Sequence, residues 1–234
     1  PDKVRNYAEK IVVSSQHLLS LINDVLDMSK IESGKTTLNL CDVNLADIIN
    51  ETDNIIRPQA KKKNQTFVVK SDGVEYCCIT ADKLRLSQIL INILSNAVKY
   101  TEEGGNITFE IKEIKVTNPQ IVKYKFIISD NGIGMSEEYL KDIFKPFTRE
   151  ETSLTDAVQG TGLGMAITKN LIDLMGGTIK VLSTQGVGTT YEVTMEFRIA
   201  DINTNKDLWN RYNIPKCDFL LQTEEESSIA EALE

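Results

Sequence analysis

The stretch QILINILSNAVKYT, Gln88 to Thr101, decides the fold. Most of it is an apolar helix of the kind that fills a core, and Asp82 starts it. Asparagine is a poor helix former, because its amide competes for backbone hydrogen bonds. Yet Asn92 and Asn96 sit four residues apart, with Lys99 three further on. Gln88, Asn92, Asn96 and Lys99 therefore share one helix face, while Leu86, Ile89, Leu90, Ile93, Leu94 and Ala97 cover most of the remainder. A polar row on a buried helix is costly unless something satisfies it. An Asn carbonyl oxygen is a neutral hard ligand of the kind Mg²⁺ accepts, and Mg²⁺ completes its shell with water and phosphate oxygens. A nearby Lys meets such phosphates as a point charge. The row alone fits a solvated helix face equally well.

Working outward, the flanking segments alternate. Thr37 to Val43 reads as a short strand, and Asn44 caps a helix running toward Lys61, with Pro58 late enough to kink or shorten it. Gln65–Lys70 and Cys77–Thr80 read as strands before the central helix. Asn106–Val116 and Ile121–Ser129 follow it as strands, with Asn118-Pro119 as the turn. Ser136 caps a short helix to Ile143, and Leu163–Met175 is a helix ended by Gly176-Gly177. Thr178–Ser183 and Thr189–Arg198 are the last strands. Before all of this, residues 2 to 33 carry apolar positions at alternating three- and four-residue spacing, from Val4, Tyr7 and Ile11 to Val25 and Met28. That pattern predicts one long helix with a stripe wide enough for a helical bundle. A stripe of this kind exposed on a lone chain predicts self-association or folding back onto the sandwich. From Asp201 onward the pattern dissolves.

The 234 residues suffice for one good core, and 41% hydrophobic with 26% charged residues is ordinary for a water-soluble domain. The formal net charge of -8 argues against a general binder of nucleic acid or anionic membrane surface. No apolar run approaches the roughly 20 residues a membrane helix needs. The chain starts at Pro1 rather than Met, and so reads as a piece of a longer protein. Cys41, Cys77, Cys78 and Cys217 lack zinc-type spacing and read as reduced thiols.

Two glycine loops stand out. Asp130-Asn131-Gly132-Ile133-Gly134-Met135 (DNGIGM) follows a strand. The Asp130 carboxylate only accepts hydrogen bonds, and an adenine amino group donates them. Gly132 and Gly134 let the backbone approach a flat ligand, although Asp-Asn-Gly is also an ideal hairpin turn. Gly160-Thr161-Gly162-Leu163-Gly164-Met165 (GTGLGM) opens a helix, where free N–H groups bind anions. It lacks the context of a dinucleotide fingerprint and the Gly-Lys-Ser/Thr of a P-loop. Between the loops, Phe144 and Phe147 read as hydrophobic pins at the base of a polar lid, Thr148 to Gln159, that contains Arg149. Ordinary core is the other reading of the two rings, and a solvated charge is that of Arg149.

In this order and spacing, NILSNAVKYT, DNGIGM, IFKPF and GTGLGM resemble the N, G1, F and G2 boxes of bacterial sensor histidine kinases, including those of hybrid type. SSQHLLSLINDVLDMSKIESGK resembles the second helix of that family's dimerisation and phosphoacceptor domain. The resemblance implies an α+β two-layer sandwich, a mixed β-sheet covered by helices on one side as in gyrase-type ATPases, preceded by the long helix. It divides the chain into residues 1–34 (the second helix), 35–200 (the ATP-binding domain) and 201–234 (a tail or a linker toward a receiver domain).

The resemblance implies ATP and Mg²⁺ as cofactors. Asn96 would be the metal ligand, with Asn92 supporting the metal-phosphate region. Lys99 would contact phosphate and Tyr100 line the site. Asp130 would bind the adenine amino group, walled by Gly132 and Gly134. Gly160, Thr161, Gly162, Leu163 and Gly164 belong to the lid motif over the phosphates, with Arg149 at the lid arginine and Thr189 supporting Asp130. A response regulator or receiver domain, a homodimer through the first helix and a location on the cytoplasmic side are implied for the parent protein, with any membrane anchor outside these residues.

The family's phosphoacceptor is a His followed by an acidic residue. The single histidine here, His17, is followed by Leu18 and Leu19. It reads as a bundle-flank residue, so the chain is expected to hold ATP without phosphorylating itself on His17. A non-catalytic nucleotide-sensing module and an anti-sigma-type serine kinase on the same fold are the alternatives.

Overall fold

The structure is a computed structural model. It describes residues 36–72, 74, 76–150 and 161–200, together with residues 7, 11, 12, 15, 18, 19, 21–23, 25–30, 33 and 34. Eleven elements run in the order β1 (Cys41–Asn44), α1 (Leu45–Lys62), β2 (Thr66–Asp72), β3 (Cys78–Ala81), α2 (Lys83–Tyr100), β4 (Asn106–Ile114), β5 (Ile121–Asp130), α3 (Glu137–Asp142), α4 (Gly164–Leu174), β6 (Thr178–Thr184) and β7 (Gly188–Ile199).

The strands form one sheet in the order β1-β3-β7-β5-β4-β2, with β6 also on β7. β2 pairs with β4 in parallel, and the other pairings are antiparallel. This is the mixed sheet expected. Alternation along β5 decides its two faces. Val122, Tyr124, Phe126 and Ile128 are buried in the core, while Lys123 and Lys125 reach Glu196 and Glu192 on β7 across the other face. Helices α1, α2 and α4 close the apolar face. Leu86, Ile89, Leu90, Ile93 and Leu94 of α2 have no exposed surface, which makes that helix the spine of the layer.

Local chemistry sets the helix ends. The Asn44 side chain accepts from the Ala46 N–H, Asp82 from Arg85 and Ser136 from Tyr139. Pro58 does not end α1, which continues to Lys62. The C-terminus of α2 is strapped from outside. Lys63 Nζ donates to the carbonyls of Val98, Lys99 and Thr101 at 2.8–3.0 Å. Gln65 Nε2 donates to Val98 and Thr101 at 3.0 and 2.7 Å. Carbonyls at a helix end have no intrahelical partner, and a cation there opposes the negative end of the helix dipole. Lys63→Met is expected to lower unfolding stability by about 1–3 kcal/mol, since it removes three donors and leaves their acceptors half-buried. Urea denaturation measures this, and an unchanged midpoint would show that water replaces the ammonium.

In the first segment, the described residues from Tyr7 to Lys30 are helical, but a continuous helix over 1–34 extends outside the described residues, as does His17. Tyr7, Ile11, Leu18 and Val25 of its stripe are exposed. Among the described residues, its end is tied to the sandwich. Asp27 pairs with Arg85 at 3.2 Å and accepts from Gln88 at 3.1 Å. Met28 packs partly against the core and lies 3.6 Å from the Asn170 amide. The reduced-thiol expectation holds for Cys41 and Cys78 but not for Cys77, which is disulfide-bonded. Spacing along the chain says nothing of such a tertiary encounter. Cys217 and the tail beyond residue 200 lie outside the described residues.

Candidate functional site

A cavity of about 480 Å³ opens between α2, the β5–α3 loop and the start of α4. Its lining brings together most of the predicted residues: Asn92, Asn96, Lys99 and Tyr100 from α2, Asp130 and Gly134 from the first glycine loop, Arg149, then Thr161, Gly162 and Gly164, and Thr189 on β7. Volumes of this size suit a small organic ligand.

Each group has a particular setting. Asp130 ends β5 opposite Thr189 on β7. Its Oδ1 accepts the Gly132 N–H at 3.0 Å and the Thr189 N–H at 3.3 Å. No bond among the described residues reaches Oδ2. Burial pushes the carboxyl above its ordinary range, and the two N–H donors pull the other way. Thr189 shares its hydroxyl with Ser183 at 2.9 Å, and Ser183 also accepts from the Met135 N–H at 2.9 Å. The β6–β7 hairpin thus holds the glycine loop in place.

On the opposite wall, Asn92 Nδ2 reaches Thr168 Oγ1 at 3.3 Å and the Gly164 carbonyl at 3.5 Å, joining α2 to α4. Asn96 is half-buried, lines the cavity and has no hydrogen-bond partner among the described residues. Lys99 Nζ lies over the Tyr100 ring, 4.9 Å from its centroid. One end of the cavity is therefore acidic and donor-fixed, and the other is amide-rich and cationic.

Several of the expected residues do not line the cavity. Gly132 does not line the cavity. A Cβ there would meet the Tyr100 carbonyl at 2.4 Å, so this glycine serves close backbone packing. Leu163 is 1% exposed and belongs to the core, because the chain turns inward to start α4. Phe144 packs partly against the core rather than on the cavity. Phe147 is 70% exposed with φ of 62°, a backbone that turns its ring outward. Its N–H donates to the Gly162 carbonyl at 3.0 Å, so backbone, not ring, pins the base of the lid. Gln88 shares the face of the asparagines but is used by Asp27 and Arg85. Gly160 and most of the expected lid, residues 151–160, lie outside the described residues.

The residues that reasoning missed are mainly the apolar and aromatic wall: Ile133, Met135, Tyr139, Ile143, Met165 and Tyr191. Four of them, Ile133, Met135, Ile143 and Met165, lie inside the quoted motifs. Tyr191 was legible by strand period, two residues beyond Thr189 and so on the same face.

Comparison with known proteins gives the family. Residues 81–199 match the model of the histidine kinase-, DNA gyrase B- and HSP90-like ATPase family. The chain belongs to that family. Among its relatives, the Non-motile and phage-resistance protein of Caulobacter vibrioides is 36% identical over 205 residues, covering 88% of this chain and 24% of that protein. The autoinducer 2 sensor kinase/phosphatase LuxQ of Vibrio parahaemolyticus is 36% identical over 195 residues, covering 83% and 22%. The chain thus spans about a quarter of the length of these curated relatives. The solved structure of full-length ShkA in complex with AMPPNP superposes with a TM-score of 0.68 at 29% identity, covering 84% of this chain and 39% of that one. The domain is an ATP-binding catalytic domain of the sensor histidine kinase type. No helix among the described residues is long and apolar enough to cross a membrane.

Proposed function

We propose that this domain holds Mg-ATP with adenine at Asp130 and the phosphates along Asn92, Asn96 and Lys99, and that its parent protein is a two-component sensor kinase. One observation carries the reading. Among the described residues, Asp130 Oδ2 and the Asn96 amide have no hydrogen-bond partner, and both residues line one cavity of nucleotide size. A carboxylate oxygen without a donor suits an exocyclic amine. A single neutral amide suits Mg²⁺, which takes few protein ligands. Bound there, the ion would neutralise charge on the β- and γ-phosphates. Lys99 and Arg149 would orient the phosphate chain, and Thr161, Gly162 and Gly164 would cover it near the start of α4.

Phosphoryl transfer needs little from the protein beyond position and charge. An imidazole nitrogen of a histidine other than His17 forms the new bond to the γ-phosphorus. The bond to the β,γ-bridging oxygen breaks, and ADP leaves with that electron pair. The exposed stripe of the first segment favours a homodimer in the parent protein, and a response regulator or receiver domain would take the phosphoryl group onward.

Calorimetric titration with a non-hydrolysable ATP analogue tests the reading. Saturable binding is expected with Mg²⁺ present. In Asn96→Ala it is expected to weaken about tenfold and lose most of its Mg²⁺ dependence. No binding by the unmodified chain would overturn the reading. A supplied acceptor helix that gains an acid-labile phosphate separates the kinase from a nucleotide-sensing module, which would bind without transfer.

A further inference from the structure

Tyr191 is 5% exposed, and its side chain lines the cavity. It sits on β7 opposite Ile128 of β5, two rungs from the pair Asp130–Thr189 and on the same face. No hydrogen bond to its hydroxyl exists among the described residues, although nearly all of the side chain is out of water. A buried hydroxyl without a partner costs stability, and phenylalanine would fill the same space without that cost. The neighbouring charges bear on which role the oxygen can take. Burial comes first, then Asp130, then Tyr139 and Tyr100, and all push the phenol well above its ordinary titration range. The hydroxyl therefore keeps its proton and is a standing donor in the cavity that Asp130 also lines.

We propose that Tyr191 is a base-specificity residue, its O–H donating to the adenine ring nitrogen N1 while Asp130 Oδ2 accepts from the adjacent exocyclic amine. The pair is complementary to the amidine edge of a 6-aminopurine, which offers one donor and one acceptor side by side. A 6-oxopurine reverses both, with a carbonyl facing the carboxylate and a protonated N1 facing the hydroxyl. The pocket then reads purine identity through two protein groups rather than one. The inference rests on the placement of adenine at Asp130.

The experiment is a ligand-side mutant cycle by calorimetry, using ADP, 1-deaza-ADP, 7-deaza-ADP and IDP on the unmodified chain, Tyr191→Phe and Asp130→Asn. The unmodified chain is expected to bind 1-deaza-ADP roughly three- to tenfold more weakly than ADP, the worth of one neutral hydrogen bond. Tyr191→Phe is expected to lose the same factor for ADP, to lose nothing further on 1-deaza-ADP, and to narrow the preference for ADP over IDP. Its melting temperature should hold or rise, which excludes a merely structural loss. Equal losses on 1-deaza-ADP in the unmodified chain and Tyr191→Phe would overturn the proposal, as would a loss confined to 7-deaza-ADP. ADP binding indifferent to Asp130→Asn would instead sink the placement of the base itself.

Discussion

Asp130→Asn is expected to weaken adenine-nucleotide binding ten- to a hundredfold, the range for hydrogen bonds to a charged group, while leaving the fold as stable or more so. The two N–H donors from Gly132 and Thr189 both fall on Oδ1. In the variant the amide oxygen must take that place, because the NH₂ group cannot accept. The NH₂ then replaces Oδ2 and confronts the exocyclic amine donor to donor. The isosteric change thus inverts polarity where the base is read.

The pH dependence has two signs. The folded carboxyl titrates above its ordinary value of 3.8, with burial as the main cause. Between those values the folded state binds more protons than the unfolded one, so the contribution of Asp130 to stability falls as pH rises through its folded value. Binding runs the other way, since only the ionised group lacks a competing proton. Nucleotide affinity should therefore fall as pH drops through a midpoint above 3.8, and this component should vanish in Asp130→Asn. Titration with ADP and urea denaturation, both run across acidic pH, measure the two slopes. Equal affinity of the two proteins at neutral pH would overturn the assignment.

Gly134→Ala is expected to damage both stability and site, by about 2–4 kcal/mol in unfolding. Its φ of 62° belongs to the left-handed region, and an added Cβ would stand 2.0 Å from the Thr184 carbonyl oxygen. Backbone cannot move aside as a flexible side chain does. Gly186 donates to the Ile133 carbonyl at 2.7 Å, so displacing the loop also pulls on the hairpin that carries Thr189. Gly164→Ala is the contrast. No atom of the described residues lies within 4 Å of its added Cβ, and the residue opens a helix. There the fold should keep its urea midpoint. Similar midpoints for both variants would mean that the Thr184 contact yields without cost.

Most of the architecture was legible because its elements are locally consistent. The period of α2, the alternation of β5 and the caps at Asn44, Asp82 and Ser136 each point one way. Pro58 misleads only as a breaker, since α1 keeps its helical course through it. At the site, spacing put Asn92, Asn96 and Lys99 on one face, and the cavity opens along it. Spacing cannot say where along a face the cavity stops, so Gln88 looked equivalent until Asp27 and Arg85 were seen to occupy it. Nor does residue type reveal a positive φ outside glycine, which is why Phe147 read as a pin and is instead exposed. The Lys63 strap joins a turn to a helix end 35 to 38 residues away in the chain, a tertiary bond without a local signal.

Helix α2 is gripped at both ends, by Asp27 near Arg85 and by Lys63 beyond Val98. Its 18 residues make a rod of roughly 27 Å. A rod so clamped shifts as one piece, and its rungs cannot be retuned singly. Any torque arriving through the Asp27 knot is spread over Asn92, Asn96 and Lys99 together.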